Sequence, residues 1–298
     1  MARDALPPLH LLLALAVVAV WGTNFVVIRW GLDDFPPLTF AALRFTFAVL
    51  PAVFFLKRPA VPWWNLAVYG LLIGVGQFGL LYISMTQWIS PGLASLVVQT
   101  QVFFTIGFAM LIAGERVRGF QIAALLLAAA GLAWLMAHTN AEVTPLGLGL
   151  VLVAALSWAG GNTMARAAGP VNMLSYVVWA SVFSAPPLFL LALTFEGWPA
   201  MSGAMASAGA AGWAAVLWQS VGNTIFGYTA WAWLLARHPA ATISPLSLLV
   251  PVFGMGASAV LLAEPLNAWK LTAAALVLGG LALNTLWPLL RRPRAAAT

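Results

Sequence analysis

The chain has 298 residues, of which 63% are hydrophobic and only 7% are charged, and its mean hydropathy is +0.97. Soluble domains carry about 25% charged residues, so this composition excludes soluble enzymes and soluble nucleic-acid-binding proteins. Thirteen basic residues against seven acidic ones give a net charge of +6, which in a membrane protein indicates orientation in the bilayer. The absence of cysteine excludes disulfides, thiol catalysis and thiolate metal sites. We expect an integral membrane protein without metal or cofactor, whose partners are lipid and small molecules and not nucleic acid.

The lengths of the charge-poor stretches predict the number of membrane crossings, since a transmembrane helix needs about 20 apolar residues. The charge-free run 59–114 is long enough for two helices, and the Ser-Pro-Gly sequence at 90–92 marks a turn between them. Residues 37–56 form a span interrupted only by Arg44, and the Gly-, Ala- and Ser-rich segment 197–212 predicts a loop. The runs lack the alternation that is typical of membrane strands. The sequence therefore predicts an all-α polytopic membrane protein with ten transmembrane helices, at 9–28, 37–56, 64–87, 92–113, 119–138, 146–165, 172–195, 212–236, 240–262 and 268–290.

The basic residues predict which side of the membrane each loop faces. If the N-terminus is cytoplasmic, ten of the thirteen basic residues lie in cytoplasmic segments and two lie on the outer side. Because cytoplasmic loops are enriched in Lys and Arg, this orientation is favoured over its reverse, and both termini are predicted to be cytoplasmic. The first span has too little preceding positive charge and no small-residue cleavage site for a signal peptide, so we expect it to be retained.

Residues recur at fixed offsets and indicate an internal repeat. Trp21 and Arg29 recur as Trp158 and Arg166, 137 positions later. Near the end of each half, at an offset of 149, three residues recur in order: Glu115, Gln121 and Gly131 as Glu264, Lys270 and Gly280. The pattern divides one membrane domain into a first repeat, 1–140, and a second, 141–298. Each repeat holds five helices, and because five is odd, the second copy enters the membrane in the opposite sense, as in inverted-repeat transporters.

Five short motifs, spread over nearly the whole chain, carry a family resemblance. They are Trp-Gly-Thr-Asn-Phe at 21–25, Arg44 in the second span, Ala-Gly-Glu-Arg at 113–116, Leu-Val-Pro-Val-Phe at 249–253 and Leu-Ala-Glu-Pro at 262–265. In this order they resemble the drug/metabolite transporter superfamily, EamA family. The resemblance implies a secondary transporter that exports amino acids, aromatic and other neutral ones, across the bacterial inner membrane by alternating access. A multidrug or other small-metabolite exporter of the same fold is the alternative.

Other classes of membrane protein fit the sequence less well. An enzyme is disfavoured because no cluster of acids or histidines lies at one depth, and no P-loop pattern is present. A channel is disfavoured because the duplicated fold lacks a ring of like charges. A monomer is favoured over an oligomer.

Polar and aromatic residues near the middle of the spans are candidates for solute contact, because such side chains face the protein interior or a wet cavity. The alternative for each amide is an interhelical hydrogen bond, and for each indole it is core packing. Gln99 and Gln101 lie about 200° apart on a helix, so we expect only one of them to face a cavity. Ser181 and Ser184 lie at the same depth. The predicted substrate-binding residues are Trp21, Asn24, Gln77, Tyr82, Gln99, Gln101, Trp158, Asn162, Trp179, Asn223, Tyr228 and Ser244.

Three residues are predicted to act in gating. Arg44 is a charge well inside a span, for which a structural or gating role is favoured over carboxylate binding; its side chain could extend outward toward Asp33 or Asp34. Pro245 and Pro251 predict that the ninth helix is broken or kinked, because each proline removes a backbone hydrogen bond, and we expect a hinge there.

The positions of the ionisable residues predict how transport is driven. Proton-coupled carriers generally need a titratable group inside the membrane. All seven acids map to span ends or loops, as do His10, His138 and His238. We therefore expect facilitated diffusion of a net-neutral solute, without proton coupling.

Overall fold

The computed structural model describes residues 6–113, 118–238 and 240–290, and these residues are almost entirely helical. Within these ranges, nine helices are long and apolar enough to cross a bilayer. A tenth span, Ala210–Arg237, meets the same criteria of length and hydropathy when it is taken together with the short helix Trp198–Ser207 that precedes it. The two helices are bent by 104° relative to each other. The prediction of ten transmembrane helices is confirmed.

Ten spans, numbered in chain order, form two sets of five. Helices 1 to 5 are Pro8–Asp34, Pro37–Phe54, Trp63–Gln87, Pro91–Ile112 and Gly119–Ala137. Helices 6 to 10 are Pro145–Ala167, Met173–Phe195, Ala210–Arg237, Ser244–Leu261 and Ala268–Leu290. Helices 1, 2, 4 and 6 begin with a proline in the first turn, where its missing N–H needs no partner. Helix 1 is longer than predicted, and the ion pair of Arg29 with Asp33, one turn apart at 3.0 Å, lies in this extension.

The prediction of a loop at 197–212 is wrong for most of that segment. Trp198–Ser207 is a helix that starts after Gly197, whose φ of +83° turns the chain, and carries Pro199 in its first turn. Its alanines favour helix, and a small-residue composition does not by itself separate a helix from a loop. Only Met201 of this short helix is buried, so it lies on the surface of the bundle.

The packing of the helices repeats when the two halves are exchanged. Helix 1 packs against helices 8 and 9, and its counterpart, helix 6, packs against helices 3 and 4. Helix 5 packs against helix 10, and helix 2 packs against helix 7. Each of these pairs consists of two equivalent helices, so exchange of the halves leaves the pair unchanged. With five spans in each half, the second half crosses the membrane in the opposite sense, and the two halves form inverted repeats.

Non-α segments also occupy equivalent helices of the two halves. Leu72–Gly79 in helix 3 and Trp218–Phe226 in helix 8 are π-helical. Val98–Thr100 in helix 4 and Ser244–Leu249 in helix 9 are 3-10 helical. Such segments loosen the regular backbone hydrogen bonding and occur often at functional sites. Because π-helical segments recur in helices 3 and 8, we expect a functional site between these two helices.

Glycines on helix 3 allow close contact between the halves. A Cβ atom at Gly70 would overlap the carbonyl oxygen of Ala180 on helix 7, and one at Gly74 would overlap the side chain of Ser184. The Ser184 hydroxyl donates to the Gly70 carbonyl over 2.7 Å. Small residues at this spacing are typical of close helix contacts in membranes.

Candidate substrate site

A cavity lies between helices 2 and 3 of the first half and helices 7 and 8 of the second. The space between atoms there, including space open to solvent, is about 260 Å³, and its interior has room for about one water molecule. Because helices 2 and 7 are counterparts, as are helices 3 and 8, the cavity lies where the two repeats meet. Its lining consists of Arg44, Phe45, Tyr69, Ile73, Phe78, Val177, Ser181, Ser184, Thr224 and Tyr228. In this conformation the cavity is narrow.

Arg44 of helix 2 contributes the cationic group of the cavity. The residue is 1% exposed, so the expectation that it extends outward toward Asp33 or Asp34 is wrong. One terminal nitrogen, Nη1, donates to the Tyr82 hydroxyl over 3.2 Å, and the other, Nη2, donates to the Thr224 hydroxyl over 3.4 Å.

The rest of the guanidinium is covered without being neutralised. Its central carbon lies 3.5 Å from the centroid of the Phe78 ring, a cation–π contact. The Nε atom has no hydrogen-bond partner. Among the residues that the structure describes, no carboxylate lies within ion-pair distance of Arg44.

Three hydroxyl groups of the cavity have their protons engaged elsewhere. Ser181 donates to the Val177 carbonyl over 2.7 Å, Ser184 donates to the Gly70 carbonyl, and Thr224 donates to the Gln219 carbonyl over 3.0 Å. Each oxygen retains lone pairs that can accept a hydrogen bond. These hydroxyl groups therefore present acceptors, whereas Arg44 presents only donors.

Two of the predicted site residues line this cavity, Tyr228 and Arg44. Tyr82 is fully buried and contacts the cavity through Arg44. Trp21 lies beside Tyr228, and its indole nitrogen donates to the backbone carbonyl of Asn223 in the π-helical part of helix 8, over 3.2 Å. This bond uses a carbonyl of a segment whose regular α-helical pairing is broken.

Three predicted amides, Gln99, Gln101 and Asn162, form interhelical hydrogen bonds instead of lining the cavity. Gln99 donates to the Ser247 carbonyl of helix 9 over 3.4 Å, and Gln101 accepts from the Asn162 side chain of helix 6 over 2.9 Å. The two glutamines therefore contact different helices, Gln99 helix 9 and Gln101 helix 6. Neither of them is among the cavity-lining residues.

In the described part of the chain, four amides have buried side-chain atoms without a hydrogen-bond partner, and three of these residues are themselves buried, whereas Asn284 is half-buried. The side-chain oxygens of Asn24 and Gln77 have no hydrogen-bond partner, and neither polar atom of the Gln219 side chain has one. Buried amide groups are normally paired, so these three retain hydrogen-bonding capacity. Gln219 is fully buried in helix 8, and sequence reasoning missed it.

The remaining candidates lie away from this cavity. Trp158 is half-buried and packs against the core. Trp179 donates from its indole nitrogen to the Leu56 carbonyl over 3.0 Å, and its ring contacts Trp63, so it lies near the cytoplasmic ends predicted for these helices. Ser244 is exposed at the start of the 3-10 segment of helix 9.

Helix 9 changes from a 3-10 helix to an α-helix between Leu249 and Val250. Pro245 lies in the first turn of the 3-10 segment, and Pro251 lies in the first turn of the α-helix Val250–Leu261 that follows. Each proline therefore stands at a helix start, where its missing N–H costs no hydrogen bond, and not inside a continuous helix that it would kink. The gating hinge stays a prediction.

Sequence reasoning missed the aromatic wall of the cavity, Tyr69 and Phe78, and also Thr224. One signal could have located this region. Gly76, Gln77 and Tyr82 of helix 3 recur 146 positions later in helix 8 as Gly222, Asn223 and Tyr228. This third recurrence falls on the two π-helical segments and the turn that follows each.

The chain matches the EamA-like transporter family over residues 8–137 and 145–286, one match in each half. It belongs to the EamA family. A protein of Escherichia coli strain K12 named as a probable amino-acid metabolite efflux pump is 39% identical over 279 residues, covering 91% of this chain and 93% of the relative. The Salmonella typhimurium protein of the same name is 40% identical over the same coverage. A solved crystal structure at 20% identity and a TM-score of 0.64, which covers 95% of this chain and 99% of that chain, shares the fold.

This EamA transporter is closed at the end that the charge distribution predicts to face outward, which we call the outer end. Glu196, at the end of helix 7, accepts hydrogen bonds from the backbone N–H groups of Leu38 and Thr39 and from the Thr39 hydroxyl, over 2.6, 3.0 and 2.6 Å. This second-half carboxylate therefore caps the N-terminus of first-half helix 2, where a negative charge is favoured.

A second cluster joins the halves at the outer end. Glu264 accepts from the Ser90 hydroxyl and the Gly92 backbone N–H at the start of helix 4. Lys270, which is fully buried, pairs with Glu264 and with Glu142, each over 3.0 Å. Glu115, the counterpart of Glu264 in the first repeat, lies outside the described residues.

The opposite, inner end of the EamA bundle is also closed by contacts between the halves. The rings of His10 on helix 1 and His238 after helix 8 are joined over 2.7 Å. Asn65 of helix 3 donates to the Met164 carbonyl of helix 6 over 3.1 Å and accepts from the Tyr176 hydroxyl of helix 7 over 2.6 Å. The two halves are therefore in contact at both ends of the bundle, and the cavity lies between these two sets of contacts.

Proposed function

We propose that this EamA transporter exports amino acids, aromatic and other neutral ones, across the bacterial inner membrane by alternating access. The observation that carries the proposal is the cavity between helices 2, 3, 7 and 8, with contacts between the two halves at both ends of the bundle. In inverted-repeat carriers the solute site lies between the repeats, and rocking of one half against the other opens it to each side in turn. The names of the two bacterial relatives support amino-acid metabolites as cargo.

The direction of the chain in the membrane follows from charge. Ten basic residues in cytoplasmic segments against two on the outer side favour cytoplasmic termini. In this orientation the Glu196 and Glu264 contacts face the periplasm, and the contacts of His10 and Asn65 face the cytoplasm. Export then requires that the inner contacts open to admit the solute and that the outer contacts open to release it.

Transport is proposed to run down the solute gradient without a coupled proton. The described lining of the cavity contains no acid and no histidine. A net-neutral zwitterion can move through such a site without a titrating partner. Direction is then set by the concentration of amino acid on the two sides.

The same fold also suits a multidrug or other small-metabolite exporter, which is the second candidate. The aromatic wall of Tyr69, Phe78 and Tyr228 would bind many apolar solutes. What favours amino acids is the presence of a cationic group and acceptor hydroxyls beside that wall. Competition between unlabelled drugs and labelled amino acids separates the two candidates.

Counterflow in liposomes tests the proposed function. Purified protein is reconstituted, loaded with one unlabelled amino acid and mixed with the labelled form outside, over a panel that includes phenylalanine, tryptophan, leucine and an acidic amino acid. We expect accelerated uptake of the neutral amino acids without an imposed pH gradient and with no effect of a protonophore. Uptake that occurs only with a pH gradient would refute uncoupled transport. Counterflow with other metabolites but with no amino acid would refute the cargo.

A further inference from the structure

Arg44 carries a buried charge for which the described protein supplies no counter-ion. Burial of an unpaired charge is costly, and buried cations are normally paired with an anion. Its two hydrogen bonds, at 3.2 and 3.4 Å, go to neutral hydroxyls and are longer than the 2.7–2.9 Å typical of a guanidinium with a carboxylate. The Nε atom is unpaired. The site therefore lacks an anion, and the Arg44 Nε–H is a free donor that can bind one.

The geometry of the guanidinium specifies the kind of anion. Its donors form a planar fork that matches the two oxygens of a carboxylate. Phe78 covers one face of the plane, so an incoming group approaches from the edge, where the donors are. The cavity beyond is walled by Tyr69, Ile73 and Val177, which suit an apolar or aromatic side chain.

The second half lines the cavity with groups that suit an ammonium group. The hydroxyl oxygens of Ser181, Ser184 and Thr224 are acceptors, because each proton is donated to a backbone carbonyl. Ser181 lies 137 positions after Arg44, the same offset that relates Trp21 to Trp158, so it is the counterpart of Arg44 in the second repeat. The first half therefore supplies hydrogen-bond donors and the second half supplies acceptors. Together they match the carboxylate and the ammonium group of a zwitterion.

We propose that Arg44 binds the carboxylate of the transported solute, and that Ser181, Ser184 and Thr224 accept from its ammonium group. This proposal rests on the proposed function and extends it to the residue that selects the substrate class. Arg44 is then a binding residue that requires a free carboxylate. Amides and amines of the same shape are rejected because they leave the guanidinium without its anion.

The wild-type protein tests the requirement for a carboxylate without any variant. Phenylalanine, phenylalaninamide and phenethylamine share the ring and the ammonium group, and only the first has a carboxylate. We expect the amide and the amine to inhibit phenylalanine counterflow at least tenfold more weakly than unlabelled phenylalanine does. Equal inhibition by all three would overturn the proposal.

Variants of Arg44 test the residue itself. In Arg44→Gln we expect the KM for phenylalanine to rise at least tenfold and the preference for phenylalanine over its amide to disappear. In Arg44→Lys, which keeps the charge but loses the fork, we expect an intermediate KM. Arg29→Gln removes a charge from the outer end of helix 1 and is the matched control, with unchanged KM. An unchanged KM and preference in Arg44→Gln would contradict the inference.

Thermal unfolding separates failure of this inference from failure of the proposed function. The probe 3-phenylpropanoate has a ring and a carboxylate and does not need to be transported. We expect it to raise the melting temperature of the wild-type protein but not that of Arg44→Gln. A purely structural Arg44 predicts instead that the variant melts lower and that the probe has no effect on either protein. If amino acids show no counterflow but the probe stabilises the wild-type protein through Arg44, the proposed cargo is wrong and the carboxylate site stands. If amino acids are transported but the probe gives no stabilisation that depends on Arg44, the proposed function stands and the carboxylate site is wrong.

Discussion

Replacement of Glu196 by glutamine should shift the transporter toward a state that is open at its outer end. In this structure the Glu196 carboxylate caps helix 2 from the other half of the molecule, through three hydrogen bonds. Glutamine keeps one acceptor oxygen but places an NH2 group against the backbone N–H of Thr39. If this contact forms only while the outer end is closed, its loss favours the open state.

The magnitude follows from the bonds that are lost. A hydrogen bond to a charged group contributes about 1.5–3 kcal/mol, and a negative charge at a helix N-terminus contributes about 0.3–1 kcal/mol. The Thr39 hydroxyl can rotate and accept from the new amide, so we take the lower part of these ranges, about 2.5 kcal/mol in total. Since about 1.4 kcal/mol corresponds to tenfold, the ratio of outer-open to closed molecules should rise roughly 60-fold.

The lack of cysteine makes cysteine labelling a clean assay for this shift. A single cysteine in place of Val177, which lines the cavity, is exposed to a membrane-impermeant thiol reagent added from the outside. We expect its labelling rate to increase roughly 60-fold when Glu196→Gln is added. Transport should slow, because molecules held open at the outer end return less often.

Glu142→Gln is the matched control for this experiment. Glu142 also lies at the outer end, but its carboxylate is 28% exposed and its partner Lys270 retains Glu264. A partly exposed pair contributes about 0–1 kcal/mol, so labelling should change by less than about fivefold. Equal labelling rates with and without Glu196→Gln, or the same increase in both variants, would refute the reasoning that the Glu196 cap holds the outer end closed.

Three further predictions concern stability and can be read from thermal unfolding of the purified protein. Gly70→Ala should lower the free energy of unfolding by about 1–3 kcal/mol, because the new Cβ meets a carbonyl of helix 7. Gly107→Ala, which has open space around it, should leave the free energy of unfolding unchanged, and equal melting temperatures of the two variants would contradict this. Lys270→Met should destabilise by about 3 kcal/mol because Glu264 loses its buried partner, and adding Glu264→Gln should restore part of the loss; additive losses would argue against the pair. Trp21→Phe removes an indole hydrogen bond to helix 8 and should cost about 1 kcal/mol, so an unchanged melting temperature would argue against that bond.

The positions of the spans could be predicted from the sequence because a bilayer imposes one length and one polarity on every crossing. The inversion of the second half followed from an odd number of spans. Arg44 stood out for the same reason, since a charge inside a span is costly wherever its side chain points. Each of these conclusions depends on position along the chain and not on which face of a helix is turned toward a neighbour.

What faces the cavity was decided by tertiary packing. Serine and threonine in a membrane helix generally bond to their own backbone, so nothing local distinguishes Ser181 or Thr224 as acceptors until another helix places Arg44 near them. Likewise, Gln99 and Gln101 share the depth of the cavity but turn toward helices 9 and 6. The two π-helical segments rotate the residues that follow them relative to an ideal helix, so helical-wheel reasoning does not apply across them. Hydropathy specifies depth, whereas the direction of a side chain depends on contacts between residues far apart in the chain.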